Sequence, residues 1–466
     1  MTAIPYMTPQ LPLILTVSSF LYLTNAAEAF FARFINAGLI GSLSMGILFG
    51  PEVANILPEA IQSTFITLGY IGLLLIVFEA GLSTNISLFF DNILLSCAIA
   101  ISGMILPVAF SMSLLCFGFG YPPLQAFAAG AALSSTSLGT TLTVLKPEYR
   151  RTRTGTVLMA AALLDDIGGL VIAGILAQLA SYGTSSSSIP WYIIARPLLV
   201  SVGFAFGVPF FAFISRYILG HAKCLQKWGL LASNFQLFIL VATLSGFVAG
   251  ARYAGTSELF GAYLAGAYLA YTFHYPEAMV APPALAFHAH IMPMLQVFLS
   301  PLFFASIGSA LPIRSMGSVD GSSRVVWRGI VYSLLMGLAK VLVGVWMLIW
   351  PDRASGHGWF GRPHVRVVAS TERTNVEIET SAPRIPELDF SFTLTRTRSA
   401  ALVGLAMIAR GEIALIVAEI ARPLLVVRAS SEPFAIVIWA TLLNTAAGAI
   451  FVGLLLKQHK TAEEAN

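Results

Sequence analysis

Charge is what this sequence has least of. Only 10% of its 466 residues are Asp, Glu, Lys or Arg, against about a quarter in an ordinary soluble domain. Such a chain cannot cover a water-facing globule. The three cysteines, Cys97, Cys116 and Cys224, show no metal-ligand spacing. There is no phosphate-binding P-loop and no His-Glu-x-x-His, so nothing points to ATP-driven work or zinc proteolysis. The formal charge of +4 is small and gives no sign of a nucleic-acid partner. Short alternating strands are missing too, which removes a β-barrel.

What is present is apolar length. Hydrophobic residues make up 57% of the chain. They fall in runs able to cross ~30 Å of hydrocarbon, which takes about 20 helical residues. The reading is an all-α polytopic membrane protein with about thirteen transmembrane helices. The expected spans are 8–25, 34–51, 64–83, 92–118, 122–145, 155–181, 190–216, 228–250, 256–273, 284–312, 325–350, 397–423 and 432–456. The first 34 residues lack a basic start, so the first helix is expected to be retained rather than cleaved. One long stretch, 351–396, is charged and rich in Pro, Ser and Thr, and reads as an irregular extramembrane insert. Basic residues cluster at 146–153, around 216–227, in that insert and in the tail. With thirteen spans these four segments share one side, which the positive-inside rule makes cytoplasmic. The N-terminus is then outside and the C-terminus inside. Arg314, Arg324 and Arg328 fall on the opposite side, so the bias is not clean.

Against this apolar background, "AALLDDIGGLVIAGIL" (161–176) carries two adjacent acids, Asp165 and Asp166. A helix over 157–176 puts them ~13 Å deep, near the midplane. A lone charge there costs at least ~2.5–3.5 kcal/mol. Two carboxylates must therefore share protons or meet cations. Lys340 sits mid-run in "VYSLLMGLAKVLVGVWMLIW" and supplies one positive charge. Pairing it with Asp165 leaves Asp166 as the working group; the residues alone leave the converse pairing open. A purely structural cluster is the competing reading. An intramembrane aspartyl protease is disfavoured, because adjacent acids cannot face each other across a peptide.

Two spans carry polar interruptions. In "AFAAGAALSSTSLGTTLTVL" (126–145), Ser134, Ser135, Thr136 and Ser137, then Gly139, Thr140 and Thr141, weaken the helix. An unwound segment there would offer hydroxyls and carbonyls, hard ligands suited to an alkali cation. In "ALVGLAMIARGEIALIVAEIA" (401–421), Arg410, Gly411 and Glu412 stand mid-span, too close in sequence to pair on a continuous helix. Unbroken helices remain the alternative in both places. Spans four to six and eleven to thirteen each hold an interrupted middle helix, at an odd offset that inverts the second unit. That pattern suggests inverted repeats. Glu79 stands near the end of span three, at a cavity entrance or at the membrane interface. Glu258, His288 and His290 read as structural or interfacial. "GSLSMGILFGP" (41–51) and "GAYLAGAYLA" (261–270) present small-residue faces for tight packing, within the chain or between subunits.

These stretches together resemble one family. "GLIGSLSMGILFGP", "LGYIGLLLIVFEAGLSTN", "LSSTSLGTTLTVL", "LLDDIGGLV", "GTSELFGAYLAG", "PLFFASIG" and "IARGEIALI" occur in the order found in the monovalent cation:proton antiporter-2 family of the sodium/proton exchanger superfamily. The resemblance spans nearly the whole chain except 351–396. It implies a dimerisation domain from 1–91 and 228–312, a linker helix within 182–227, and an ion-transport core from 92–181, 325–350 and 397–456. It implies Asp166 as the residue that binds the transported cation and carries the proton, with Asp165 and Lys340 as a salt-bridge pair. The polar residues of the first crossing helix correspond loosely to Ser134, Thr136 and Ser137, and Arg410 and Glu412 take a supporting role. The expected activity is exchange of Na+ or Li+ for protons across a plasma or organelle membrane, without cofactor and without enzymatic chemistry. Double-Asp members resemble electrogenic sodium exchangers, whereas potassium-linked ones often carry Gln-Asp. K+/H+ exchange, or a non-transporting sensor or scaffold, is the alternative. A homodimer in the bilayer is implied.

Overall fold

The computed structural model describes residues 8, 10–35, 38–83, 92–136, 152–182, 191–221, 233–273, 283–311, 313, 317, 323–350, 396–426 and 431–464. Every regular element among them is helical. In chain order they are α1 (Leu11–Ile35), α2 (Gly38–Phe49), α3 (Glu59–Leu82), α4 (Ile93–Gly118), α5 (Pro123–Ala132), α6 (Arg153–Tyr182) and α7 (Trp191–His221). Then come α8 (Ser233–Ala254), α9 (Glu258–Phe273), α10 (Pro283–Ala310), α11 (Arg324–Ile349), α12 (Arg396–Ala406), α13 (Glu412–Leu425) and α14 (Glu432–Glu464). Among the described residues, 9 helices are long and apolar enough to span a membrane. The insert expected at 351–396 lies, but for its last residue, outside the described residues.

The interrupted spans differ from continuous helices in a definite way. Among the described residues, the first expected span of this kind is helical through α5, which starts on Pro122–Pro123, a favourable helix opening. Residues 133–136 leave the helix, and Ser137 and Thr140 lie outside the described residues. The second is broken at 407–411, between α12 and α13. Gly411 is extended there (φ −129°, ψ −152°) and hands the chain to α13.

Helix contacts fall into two groups. α1 packs on α2, α2 and α3 on α10, and α3, α7 and α8 on α9. Separately, α4 packs on α5, α6 and α11, α13 on α5, α6 and α14, and α14 on α11 and α12. α6 meets the first group through α7 and α9. Both small-residue faces are used within the chain. A side chain at Gly46 would collide with the Ala305 carbonyl, and one at Gly308 with that of Leu43. Gly81 and Gly266 interlock in the same reciprocal fashion with Tyr263 and Phe78. The outer faces of α7 and α8 carry exposed Phe206, Phe210, Phe213 and Phe238, the surface expected of lipid-facing helices.

One end of the second group is pinned by Arg328 of α11. Its Nη1 donates to Tyr121 Oη (2.9 Å) and to Glu432 Oε1 (2.8 Å), and its guanidinium lies over the Phe119 ring at 4.8 Å. Burial, and then the Glu432 carboxylate, push the Tyr121 phenol above its ordinary value. The start of α14 thus gains an acid that suits its dipole and binds α11 and the α4–α5 turn.

Candidate functional site

The centre of the second group holds the charged residues. α6 runs for 30 residues, and Asp165 and Asp166 stand near its middle. Adjacent side chains on a helix diverge by about 100°, so the two carboxylates enter different surroundings. Asp165 points inward and is 0% exposed. Its Oδ2 accepts from Lys340 Nζ (2.6 Å) and from Thr136 Oγ1 (2.5 Å). Lys340 is also 0% exposed and donates a second bond to Thr136 Oγ1 (2.9 Å). The Thr136 hydroxyl therefore bridges ammonium and carboxylate, and lies 3.3 Å from the Met407 carbonyl of the second break. Gly103 of α4 leaves room for this group: a Cβ there would stand 3.3 Å from Lys340 Nζ and 3.7 Å from Asp165 Oδ1.

Asp166 is half-buried. Its Oδ1 accepts from Ser135 Oγ at 3.1 Å. Ser135 belongs to the first break, and its carbonyl accepts from Arg410 Nη1 at 2.9 Å. Arg410, in the second break, is fully buried. The Arg410 carbonyl in turn lies 2.7 Å from Thr445 Oγ1 of α14, whose single proton it shares with the Thr441 carbonyl at 2.6 Å. The two breaks thus meet at the acids. Unwound backbone loses its i to i−4 partners, and here side chains from neighbouring elements take those carbonyls.

Of the residues singled out in the sequence, the structure brings Ser135, Thr136, Asp165, Asp166, Lys340 and Arg410 together. Ser134 turns back to its own chain, with Oγ donating to the Ala131 carbonyl at 2.7 Å. Glu412 opens α13, and only its backbone is described. Glu79 is half-buried on the last turn of α3, where its carbonyl accepts from Ser83 Oγ (2.9 Å). Glu258 opens α9 and is held by Tyr70 Oη (2.8 Å) and by Arg252. His288 and His290 lie exposed near the start of α10.

Four contributors were missed in the sequence. Thr445 supports the second break, Asn444 is buried on the same helix against α11 at Gly337, and Gly103 clears space beside the ion pair. The signal for the first two was present. In "WATLLNTAAGA" (439–449), Thr441, Asn444 and Thr445 recur at helical spacing in an apolar run, one polar stripe on an inward face. Tyr332 belongs with them: its hydroxyl donates to Ser111 Oγ (2.8 Å), which donates to the Ala126 carbonyl (2.7 Å), tying α11, α4 and α5.

Apolar helices that cross a bilayer, with charged groups where two interrupted spans meet, define a secondary transporter architecture. The chain belongs to the sodium/hydrogen exchanger family: the profile described as "Sodium/hydrogen exchanger, transmembrane" matches residues 17–458. This is a family of multi-pass membrane transporters rather than enzymes. Relatives include the high-affinity Na(+)/H(+) antiporter NhaS3 of Synechocystis, 24% identical over 310 residues, which are 65% of this chain and 62% of that protein. The Na(+)/H(+)-K(+) antiporter GerN of Bacillus cereus is 24% identical over 401 residues, 85% of this chain and 84% of GerN. The chain thus spans less than two thirds of the cyanobacterial relative. The fold is similar to that of the sodium proton antiporter MjNhaP1 from Methanocaldococcus jannaschii, with a TM-score of 0.64 at 16% identity, over 96% of this chain and 98% of that one.

Proposed function

We propose that this chain is a secondary active antiporter that exchanges a monovalent cation, Na+ or Li+, for protons by alternating access. The observation that carries the reading is the unequal pair of carboxylates. Asp165 is neutralised by a fully buried lysine, while Asp166 is half-buried and touches a hydroxyl of an unwound segment. A proton and an alkali cation each neutralise Asp166, so they compete for it. An occupied site crosses the hydrocarbon at lower cost than a bare anion. The Ser135 hydroxyl offers an oxygen ligand of the kind such a cation requires, and Glu412 and Glu79 act in support. If the Asp165–Lys340 pair opens during the cycle, Asp165 supplies a second proton. Exchange of two protons for one sodium then moves one net charge, worth ~2.3 kcal/mol per 100 mV.

The reading includes an arrangement. Segments 92–181, 325–350 and 397–456 form the transport core, and 1–91 with 228–312 the dimerisation domain of a homodimer, joined through 182–227. The N-terminus is outside and the C-terminus cytoplasmic. GerN is a Na(+)/H(+)-K(+) antiporter by name, which supports K+ as a second candidate substrate.

The test is reconstitution in liposomes with a trapped pH dye, driven by Li+, Na+ and K+ in turn. The parent should show saturable, cation-dependent proton flux, and Asp166→Asn should lower it at least about 100-fold; undiminished exchange would rule out the carrier role. Deletion of 355–392 separates a transporter from a docking scaffold, because basal flux should survive it.

A further inference from the structure

Arg410 is larger than any other fully buried side chain in the described structure. A buried guanidinium carries a permanent charge and five donors. Among the described residues one hydrogen bond occupies them: Nη1 on the Ser135 carbonyl, at 2.9 Å. Nε and Nη2 have no hydrogen-bond partner among the described residues. Such an arrangement is costly, since each stranded buried donor forfeits its hydration. A side chain kept for stability alone would be better replaced by an apolar one. The one bond it does make therefore calls for a reason.

That bond ends on the residue that touches the working carboxylate. Ser135 offers its carbonyl to Arg410 and its hydroxyl to Asp166 Oδ1 at 3.1 Å. Ser135 lies in the unwound stretch after α5, where no helix fixes its backbone. The reach of a serine hydroxyl is set by where its backbone lies, with χ1 choosing among a few staggered positions. Arg410 is anchored in turn, because its carbonyl takes the Thr445 hydroxyl at 2.7 Å. Gly448, one turn further along α14, lets that helix close on the break: a Cβ there would stand 2.5 Å from Ala409 N. A continuous line thus runs from α14 through Thr445, Arg410 and Ser135 to Asp166, and it crosses both breaks.

We infer that Arg410 is a positioning residue for cation exchange: it holds the Ser135 backbone so that the Ser135 hydroxyl is fixed against Asp166, and so sets cation affinity and the choice among Li+, Na+ and K+. The inference rests on Asp166 being the exchange site. Lysine at 410 keeps the charge but loses the planar, extended reach to the carbonyl. Glutamine keeps a donor without the charge.

The experiment is a double-mutant cycle on the reconstituted full chain, with R410K, S135A and the double variant, reading KM and maximal rate for each cation. R410K should raise the Na+ KM about tenfold and flatten the Li+/Na+/K+ preference, with a smaller change in maximal rate. S135A should do the same, and the double variant should be no worse than the worse single one. R410Q should fall between the parent and R410K if its amide reaches the carbonyl, and it replaces R410K in the cycle if R410K does not fold. Fold-changes that multiply in the double variant, or an R410 variant that lowers thermal stability while leaving KM and preference unchanged, would overturn the inference. Its failure is distinct from that of the exchange reading: a parent that exchanges normally with additive R410 and S135 effects loses only the positioning role, whereas undiminished flux in D166N removes the site itself.

Discussion

The two groups of helices are held together by different means. In α1–α3 with α8–α10, backbones come close at reciprocal glycines, Gly46 with Gly308 and Gly81 with Gly266. In α4–α6 with α11–α14 there are glycine contacts as well, at Gly344 and Gly448, but the group adds buried Asp165, Lys340 and Arg410 and a set of hydroxyls bonded between elements. The difference follows from the solvent. Lipid tails give no hydrophobic push between helices, so they associate through close packing or through polar contacts. The first group relies chiefly on shape, with a few polar contacts between helices such as Ser42–Glu28 and Tyr70–Glu258, and should tolerate changes in chemistry better than changes in size. The second uses charge and hydrogen bonding, and should respond in the opposite way.

The sharpest way to break this contrast is Lys340→Met. It strands a fully buried Asp165, and losing one partner of such a pair costs ~3–5 kcal/mol. Thermal unfolding in detergent should show a large fall in midpoint, and the double variant K340M/D165N should recover most of it. A single variant that melts within about 2 °C of the parent would contradict the account. Next in size is Gly266→Leu in the first group, which forces α9 away from Phe78 and Leu82 of α3. Overpacking of this kind costs ~1–3 kcal/mol. The surviving folded protein should keep its cation KM, because no charge or hydroxyl near Asp166 changes; an altered KM would mean that the two groups are not separable. The smallest effect is expected of Thr445→Val, nearly isosteric, which removes the donor to the Arg410 carbonyl. It should lower stability by about 1 kcal/mol, read as a modest shift of the same melting curve. A loss as large as that of K340M would show that the second break depends on α14 far more than a single hydrogen bond allows.

Much of this was readable before any coordinates. Apolar length gave the helices, and polar residues inside apolar runs marked Asp165, Asp166, Lys340, the Ser–Thr run and Arg410. Those signals are strong because hydrocarbon makes every polar group an expense that needs a partner. Boundaries at the breaks were less legible, since Ser, Thr and Gly permit unwinding without requiring it. Beyond the Asp165–Lys340 pair, which partner each group takes was not legible. That the Ser135 carbonyl, rather than a carboxylate, receives Arg410 depends on backbone positions in two segments 275 residues apart. The small-residue faces at 41–51 and 261–270 were recognised as tight interfaces, but the sequence could not distinguish contacts within the chain from contacts between copies. Gly103 carried no sign of its role, because glycine is frequent in membrane helices for many reasons.

The ion pair has a consequence for biogenesis. Lys340 follows Asp165 by 175 residues. At a synthesis rate of ~5–20 residues per second, the carboxylate leaves the ribosome roughly 9–35 s before its counter-ion exists. Throughout that interval the nascent segment must enter the bilayer with the acid protonated, or wait beside water at the translocon. The protein is therefore assembled last at its centre, and the arrival of one late lysine decides when the newborn chain can close around its own charge.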